Sequence, residues 1–248
     1  MKIGIVKHLN ARPLTLYFER TSGYLPLYEN PSVLIELLKQ GELDCALVSS
    51  IECERNHETL DYTKVVGVCA RDVVRSVLFF RHEKDTGMPQ VVYTDKGSRS
   101  SVALLQCLLY REFGKIVEVV PTPASEISQM MLDGIGSHLL FGDHALLQTP
   151  VPGYQVVDLA EWWNRSTGLY FCFAFWAFPK GKVWDDRLFL TALEYGLKEL
   201  DSIIKEEKRL PIAVTDRYLK QELHYIPEQK NLDGFDLFIK TAKELNLV

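Results

Sequence analysis

The sequence has no apolar run of the roughly 18 to 20 residues that a membrane-spanning helix needs. No membrane partner is expected. Its five cysteines (Cys45, Cys53, Cys69, Cys107 and Cys172) are odd in number and never spaced CxxC, so neither a zinc site nor a disulfide framework has support. Cys45, Cys107 and Cys172 sit in apolar runs and read as small buried hydrophobes. The six histidines form no HxxxH or HExxH pattern, so no metal is expected. A GxSxG elbow is missing, which counts against a serine hydrolase built on Ser76 or Ser98. An excess of positive charge is missing too. With 28 basic and 33 acidic residues the net charge is −5, and no nucleic-acid surface is expected. The start, MKIGIVKHLN, lacks the apolar core and small-residue cleavage pattern of an export signal, so a cytoplasmic location is expected. There is no internal repeat and no low-complexity tract.

What is present is a full core, with 47% hydrophobic and 25% charged residues in 248. The most informative stretch is Val91 to Gly114. A β-prone run, Val91-Val92-Tyr93, leads to a polar loop with Gly97, Ser98, Arg99, Ser100 and Ser101. A dense apolar run from Val102 to Tyr110 then reads as a buried helix. First-turn N–H groups have no intrahelical partner, and the helix dipole is positive there. Serines and an arginine at that end suit a carboxylate or phosphate, although any one serine also suits a simple cap.

The same pattern recurs along the chain. Strand Lys2–Val6 runs into Asn10, Arg12 and Pro13, where Asn10 either caps the next helix or binds a ligand through its amide. Strand Leu43–Val48 ends in Ser49-Ser50-Ile51-Glu52. Strands are also expected at Tyr24–Tyr28, Val65–Ala70 and Val73–Phe80, the last containing Ser76. Leu139–Phe141 ends in Gly142-Asp143-His144, which reads either as an acid/base pair or as a helix cap. Ser125 is the expected cap of a helix over Glu126–Leu132. The apolar, aromatic run Tyr170–Phe178 reads as a buried return strand. Helices follow over Trp184–Glu207, Val214–Glu222 and Leu232–Leu245. The order implies an α/β protein of two lobes with a ligand cleft between them. Residues 1–85 and 178–248 would form one lobe and 86–177 the other, with a first crossing at His82–Pro89.

Seven stretches in this order carry a family resemblance: HLNARPL (8–14), SSIE (49–52), RSVLFF (75–80), SRSSVALL (98–105), LLFGDHAL (139–146), TGLYF (167–171) and DRYL (216–219). The chain resembles the MqnA chorismate dehydratases of the futalosine route to menaquinone, within the MqnA/MqnD superfamily. That resemblance implies a two-lobed periplasmic-binding-protein type II fold, used inside the cell. It implies a hydro-lyase that removes water from chorismate to give 3-enolpyruvylbenzoate, with no cofactor and a small carboxylate as substrate. It puts Asn10 and Ser76 beside the reacting ring, with Asn10 polarising the leaving hydroxyl. Ser50, Ser100 and Ser101 would hold carboxylates, and His8, Ser49, Ser98, Arg99, Gly142 and Asp143 complete the substrate-binding set. The hallmark histidine of the sister enzyme would fall near Gly142. Three positions depart from the family: Lys7-His8 stands where it usually has Ser-Tyr, and His144 where it often has Asp or Ala. The base is then either a carboxylate of the substrate or His8, whose ordinary pKa near 6.5 suits the task. A non-catalytic cytoplasmic binding protein for a small aromatic or carboxylated ligand is the alternative. A homodimer is left open.

Overall fold

The computed structural model describes residues 1–248. The first part of the chain forms β1 (Lys2–Ile5), α1 (Arg12–Arg20), β2 (Leu25–Tyr28), α2 (Pro31–Lys39), β3 (Cys45–Ser49), α3 (Ser50–Arg55) and β4 (Leu60–Ala70). Then come β5 (Val77–His82), β6 (Val91–Asp95), α4 (Ser100–Phe113), β7 (Glu118–Thr122), α5 (Ala124–Leu132), β8 (Ser137–Phe141), α6 (Gly142–Leu147), β9 (Tyr154–Asp158) and α7 (Leu159–Thr167). The chain returns through β10 (Phe171–Pro179) and closes with α8 (Asp186–Lys198), α9 (Leu200–Glu206), α10 (Ile212–Arg217), β11 (Leu223–His224) and α11 (Gln229–Glu244). A short π-helical segment, Tyr218–Glu222, joins α10 to β11. No helix is long and apolar enough to cross a membrane.

These strands make two sheets. One has six strands in the order β11-β4-β10-β3-β1-β2, the other five in the order β7-β6-β8-β5-β9. In the first, β1 runs parallel to β2 and β3, and β10 lies antiparallel between β3 and β4. In the second, β6 is parallel to β7 and β8, and β5 is antiparallel to β8 and β9. Parallel neighbours end at the same edge. The loops after β1 and β3 therefore lie together, and so do those after β6 and β8, which is where open α/β sheets bind ligands.

Sheet membership moves the lobe boundaries away from 85 and 178. β5 belongs to the second sheet, so the first crossing is the short stretch between Ala70 and Val77, not His82–Pro89. β10 belongs wholly to the first sheet, so the return crossing precedes Phe171. The expected strand Val73–Phe80 is broken because the Asp158 carboxylate takes the backbone N–H groups of Val74 and Arg75, at 3.0 and 2.6 Å. Those N–H groups are then lost to any strand ladder. Ser125 is no cap, because α5 already begins at Ala124 behind Pro123. The long helix expected over Trp184–Glu207 is two, parted at Glu199.

One apolar core runs through both lobes, joining Phe79, Leu104 and Leu139 to Trp163, Phe171 and Trp176. Helices α1 and α8 cross so closely in the first lobe that a Cβ on Gly196 would sit 1.9 Å from the Pro13 carbonyl oxygen. The backbone cannot give way as a flexible side chain would. Gly196→Ala should therefore lower the unfolding free energy in urea by roughly 1–3 kcal/mol despite alanine's better helix propensity.

His138 is fully buried in the second lobe, stacked 5.6 Å from the Tyr93 ring, with Nε2 2.7 Å from the Ile135 carbonyl. Burial lowers its pKa to about 4. As pH falls below 6.5 the unfolded chain takes up this proton first, so stability is lost from about pH 6.5 down to 4. The loss should reach roughly 3 kcal/mol. Urea unfolding of wild type and His138→Phe across that window should differ by this amount. Parallel profiles would refute the assignment.

Candidate functional site

A narrow cavity of about 100 Å³ lies where the strand-end loops of the two lobes meet. The loop after β1 contributes His8, Asn10 and Ala11, and the end of β3 contributes Ser49. The loop after β6 and the start of α4 contribute Gly97 to Ser101. Phe141 and Gly142 come from the β8–α6 junction, and Ser76 from the first crossing. Apolar walls are supplied by Val68 on β4 and by Phe173 and Ala174 on β10. No Asp or Glu lines the cavity, and Arg99, which is exposed, is the one formally charged residue at its edge.

Asn10 sits in a single 3₁₀ turn, Leu9–Ala11, directly after β1, and Pro13 starts α1 behind it. His8 precedes that turn in extended conformation, half-buried, with its ring edge-on to Phe141 at 5.8 Å. Burial lowers its pKa, and nearby Arg209 pushes the same way, while Asp143 and Asp95 pull upward. The imidazole is thus neutral at pH 7 and free to accept a proton.

Ser76 is pinned more tightly. Its N–H donates to the Val74 carbonyl and its own carbonyl accepts from the Gly142 N–H, both at 2.7 Å. The preceding Arg75 has φ of 52°, a left-handed conformation rare outside glycine. Asp158 holds Arg75 there through its N–H, and Arg75 Nε pairs with Glu222 at 2.5 Å. Asp158 also caps α7 by accepting from Ala160 and Glu161. Burial pushes its carboxyl up to about 6, against these four N–H donors, so it is ionised at pH 7. The Ser76 hydroxyl accepts a hydrogen bond from Tyr218 at 2.9 Å. Burial raises the Tyr218 phenol pKa well above the usual range, and Ser76 and Asn10 beside it pull the other way.

The serines divide into two groups. Ser49 Oγ and Ser98 Oγ are buried at the cavity and have no hydrogen-bond partner in the protein. Such groups are costly unless something satisfies them. Ser50 and Ser100 are instead committed to each other across the lobes. Their hydroxyls are 3.0 Å apart, Ser50 donates to the Cys172 carbonyl, and Ser100 accepts from the Ile51 N–H. Ser50 does not line the cavity, so the expectation that it grips a carboxylate is corrected: its hydroxyl meets Ser100 across the lobes. Ser101 lines the cavity at the first turn of α4.

Asp143 is also outside the cavity and pairs with Arg209 at 2.5 Å, linking α6 to the loop after α9. His144 turns to Asp95 at 3.0 Å with most of its side chain in solvent. The two are therefore not an acid/base pair facing the cavity. Tyr218, Phe141 and Phe173 are among the lining residues that sequence reasoning did not single out. The one available signal for Tyr218 was the DRYL stretch. No group of three or more His, Cys, Asp or Glu side chains is arranged to hold a metal.

The profile described as menaquinone biosynthesis matches residues 1–244. The chain belongs to the menaquinone biosynthesis family. It is 28% identical over 229 residues to the chorismate dehydratase of Thermus thermophilus, covering 84% of this chain and 81% of that protein. Among solved structures, protein AF1704 from Archaeoglobus fulgidus superposes with a TM-score of 0.77 at 11% identity, over 100% of this chain and 98% of that one. The periplasmic aliphatic sulphonate binding protein SsuA from Escherichia coli gives 0.66 at 16% identity, over 100% and 88%. The fold is thus that of the two-lobed periplasmic binding proteins. Of the seven stretches that carry the family resemblance, six supply cavity-lining residues; only TGLYF, which leads into β10, does not. What marks this member of the menaquinone biosynthesis family in sequence is therefore mostly what encloses the cavity. Of its two departures at positions 7 and 8, only His8 reaches that cavity, since Lys7 is exposed and lies over the Tyr28 ring.

Proposed function

We propose that the chain is a chorismate dehydratase, a hydro-lyase acting in the cytoplasm on the route to menaquinone. The observation that carries this reading is the cavity itself. It joins Asn10 and Ser76 to two unsatisfied serine hydroxyls and contains no carboxylate side chain. A dianionic substrate would meet hydrogen-bond donors and the positive first turn of the 14-residue helix α4, and no fixed negative charge.

In the proposed reaction one ring proton and the ring hydroxyl leave from neighbouring carbons, and the ring becomes aromatic. Aromatisation supplies the driving force, so the protein has to orient the ring and assist two proton movements. Asn10 donates through its amide to the departing hydroxyl. Ser49 and Ser98, with the α4 N–H groups, hold carboxylate oxygens. Ser76 donates from the side of Tyr218. The base is a carboxylate of the substrate. Besides it, the cavity offers only neutral His8, at a position where the resembling family usually has tyrosine.

Purified protein incubated with chorismate should yield an aromatic product, followed by ultraviolet absorbance and chromatography. Tight binding of chorismate without any product would favour a non-catalytic binding protein instead. Replacing Ser49 and Ser98 together by Ala should weaken chorismate binding by roughly 1–3 kcal/mol, read by calorimetric titration. An unchanged Kd would remove both hydroxyls from the ligand contacts. His8→Phe should leave kcat within about tenfold of wild type, well short of the loss expected when a general base is removed.

A further inference from the structure

A serine hydroxyl has one proton to give and two lone pairs to receive with. Which of these Ser76 offers a ligand decides what it can do, and the answer lies in the residue behind it. Tyr218 is 1% exposed and donates to Ser76 Oγ at 2.9 Å. A buried phenol proton needs an acceptor, and here it has one. That bond occupies a lone pair of Ser76, so the Ser76 proton has no place on the Tyr218 side. The nearby backbone is committed as well, since Ser76 N–H goes to Val74 and the Ser76 carbonyl receives Gly142. The direction left to the Ser76 proton is the cavity that Ser76 lines. The geometry points to Tyr218 as a positioning residue that fixes Ser76 as a hydrogen-bond donor to the ligand.

The two main chains are held together independently of the hydroxyls. Arg75, next to Ser76, pairs with Glu222, the last residue of the π-helical segment that Tyr218 begins. Arg217, on the other side of Tyr218, reaches the same Glu222 oxygen at 3.0 Å. Removing the phenol oxygen alone therefore leaves the frame intact, frees the Ser76 rotor and takes away the phenol's contact with Asn10. The fixed polarity also separates Ser76 from a serine nucleophile or base. A nucleophilic serine needs a base to take its proton, whereas this one faces a donor. It stabilises negative charge on a ligand oxygen. The kinetic consequence rests on the dehydratase reading, in which such charge develops as the hydroxyl leaves.

Two measurements test this. The first is a double-mutant cycle with Tyr218→Phe, Ser76→Ala and the pair, measured with chorismate. Tyr218→Phe should lower kcat about tenfold and alter KM less than about twofold, and in the Ser76→Ala background the loss in kcat should shrink to about threefold or less, the remainder being the phenol's contact with Asn10. Equal losses in both backgrounds would overturn the role, because a general structural effect would not depend on Ser76. The second is neutron diffraction on ligand-free crystals exchanged into D₂O. It should find the Tyr218 deuteron directed at Ser76 Oγ and the Ser76 deuteron directed into the cavity. A Ser76 deuteron lying on the Tyr218 side would overturn the inference. Absence of an aromatic product from wild-type protein would sink the dehydratase reading alone, and the neutron arm would then decide the role of Tyr218 by itself.

Discussion

Asn10→Asp should lower turnover of chorismate by roughly a hundred- to a thousand-fold while the protein stays folded. The side chains are nearly isosteric, and Asn10 caps neither element beside it, since His8 precedes the turn and Ala11 is the cap position of α1. The change removes the N–H₂ donor and adds a charge to a cavity lined by no carboxylate. A carboxylate cannot donate to a leaving hydroxyl at neutral pH, and it repels a dianion. Part of the loss should thus appear in KM and the larger part in kcat. The Tyr218 phenol lies beside Asn10 and should sense the same charge. Circular dichroism and thermal melting would check the fold. Wild-type turnover in Asn10→Asp would remove Asn10 from the chemistry.

Much of the site was legible because its residues sit at ends of strongly apolar strands. Lys2–Ile5 and Cys45–Ser49 announce themselves by composition, and the polar residues after them can only be edge loops. The Val91–Gly114 stretch likewise folds as strand, loop and helix. The return strand was legible for the same reason, as β10 is buried between two neighbours and reads as a continuous apolar run. The illegible features all depend on residues far apart in sequence. Ser50 and Ser100 look like two helix starts, and only the folded chain sets their hydroxyls 3.0 Å apart. Ser76 looks like a residue within a strand because Val77 to Phe80 follows it, and the break before it is made by a carboxylate more than 80 positions away. Tyr218 lies in a helical stretch with no periodicity to suggest that its hydroxyl meets Ser76. Local pattern sets elements and their ends, and it is silent about which polar group satisfies which.

Asp158→Ala should be among the most destabilising single substitutions in the chain, lowering the unfolding free energy by roughly 3–5 kcal/mol. The carboxylate is buried and serves four backbone N–H groups at once, two at the first crossing and two at the start of α7. Alanine satisfies none of them. The cap alone is worth about 1 kcal/mol, and each N–H left without a partner at the crossing costs about 1–3 kcal/mol. Arg75 would lose the contact that holds its left-handed backbone, and Ser76, next in the chain, would lose its fixed approach to the cavity. Function should therefore suffer even where the variant is folded, with kcat falling at temperatures well below its melting point. Asp158→Asn keeps one oxygen for these donors and should fall between alanine and wild type in both stability and rate. The ordering wild type, Asn, Ala should hold in urea unfolding and in turnover alike. A variant that unfolds early yet turns over normally when cold would separate the crossing from the site and confine Asp158 to holding the fold.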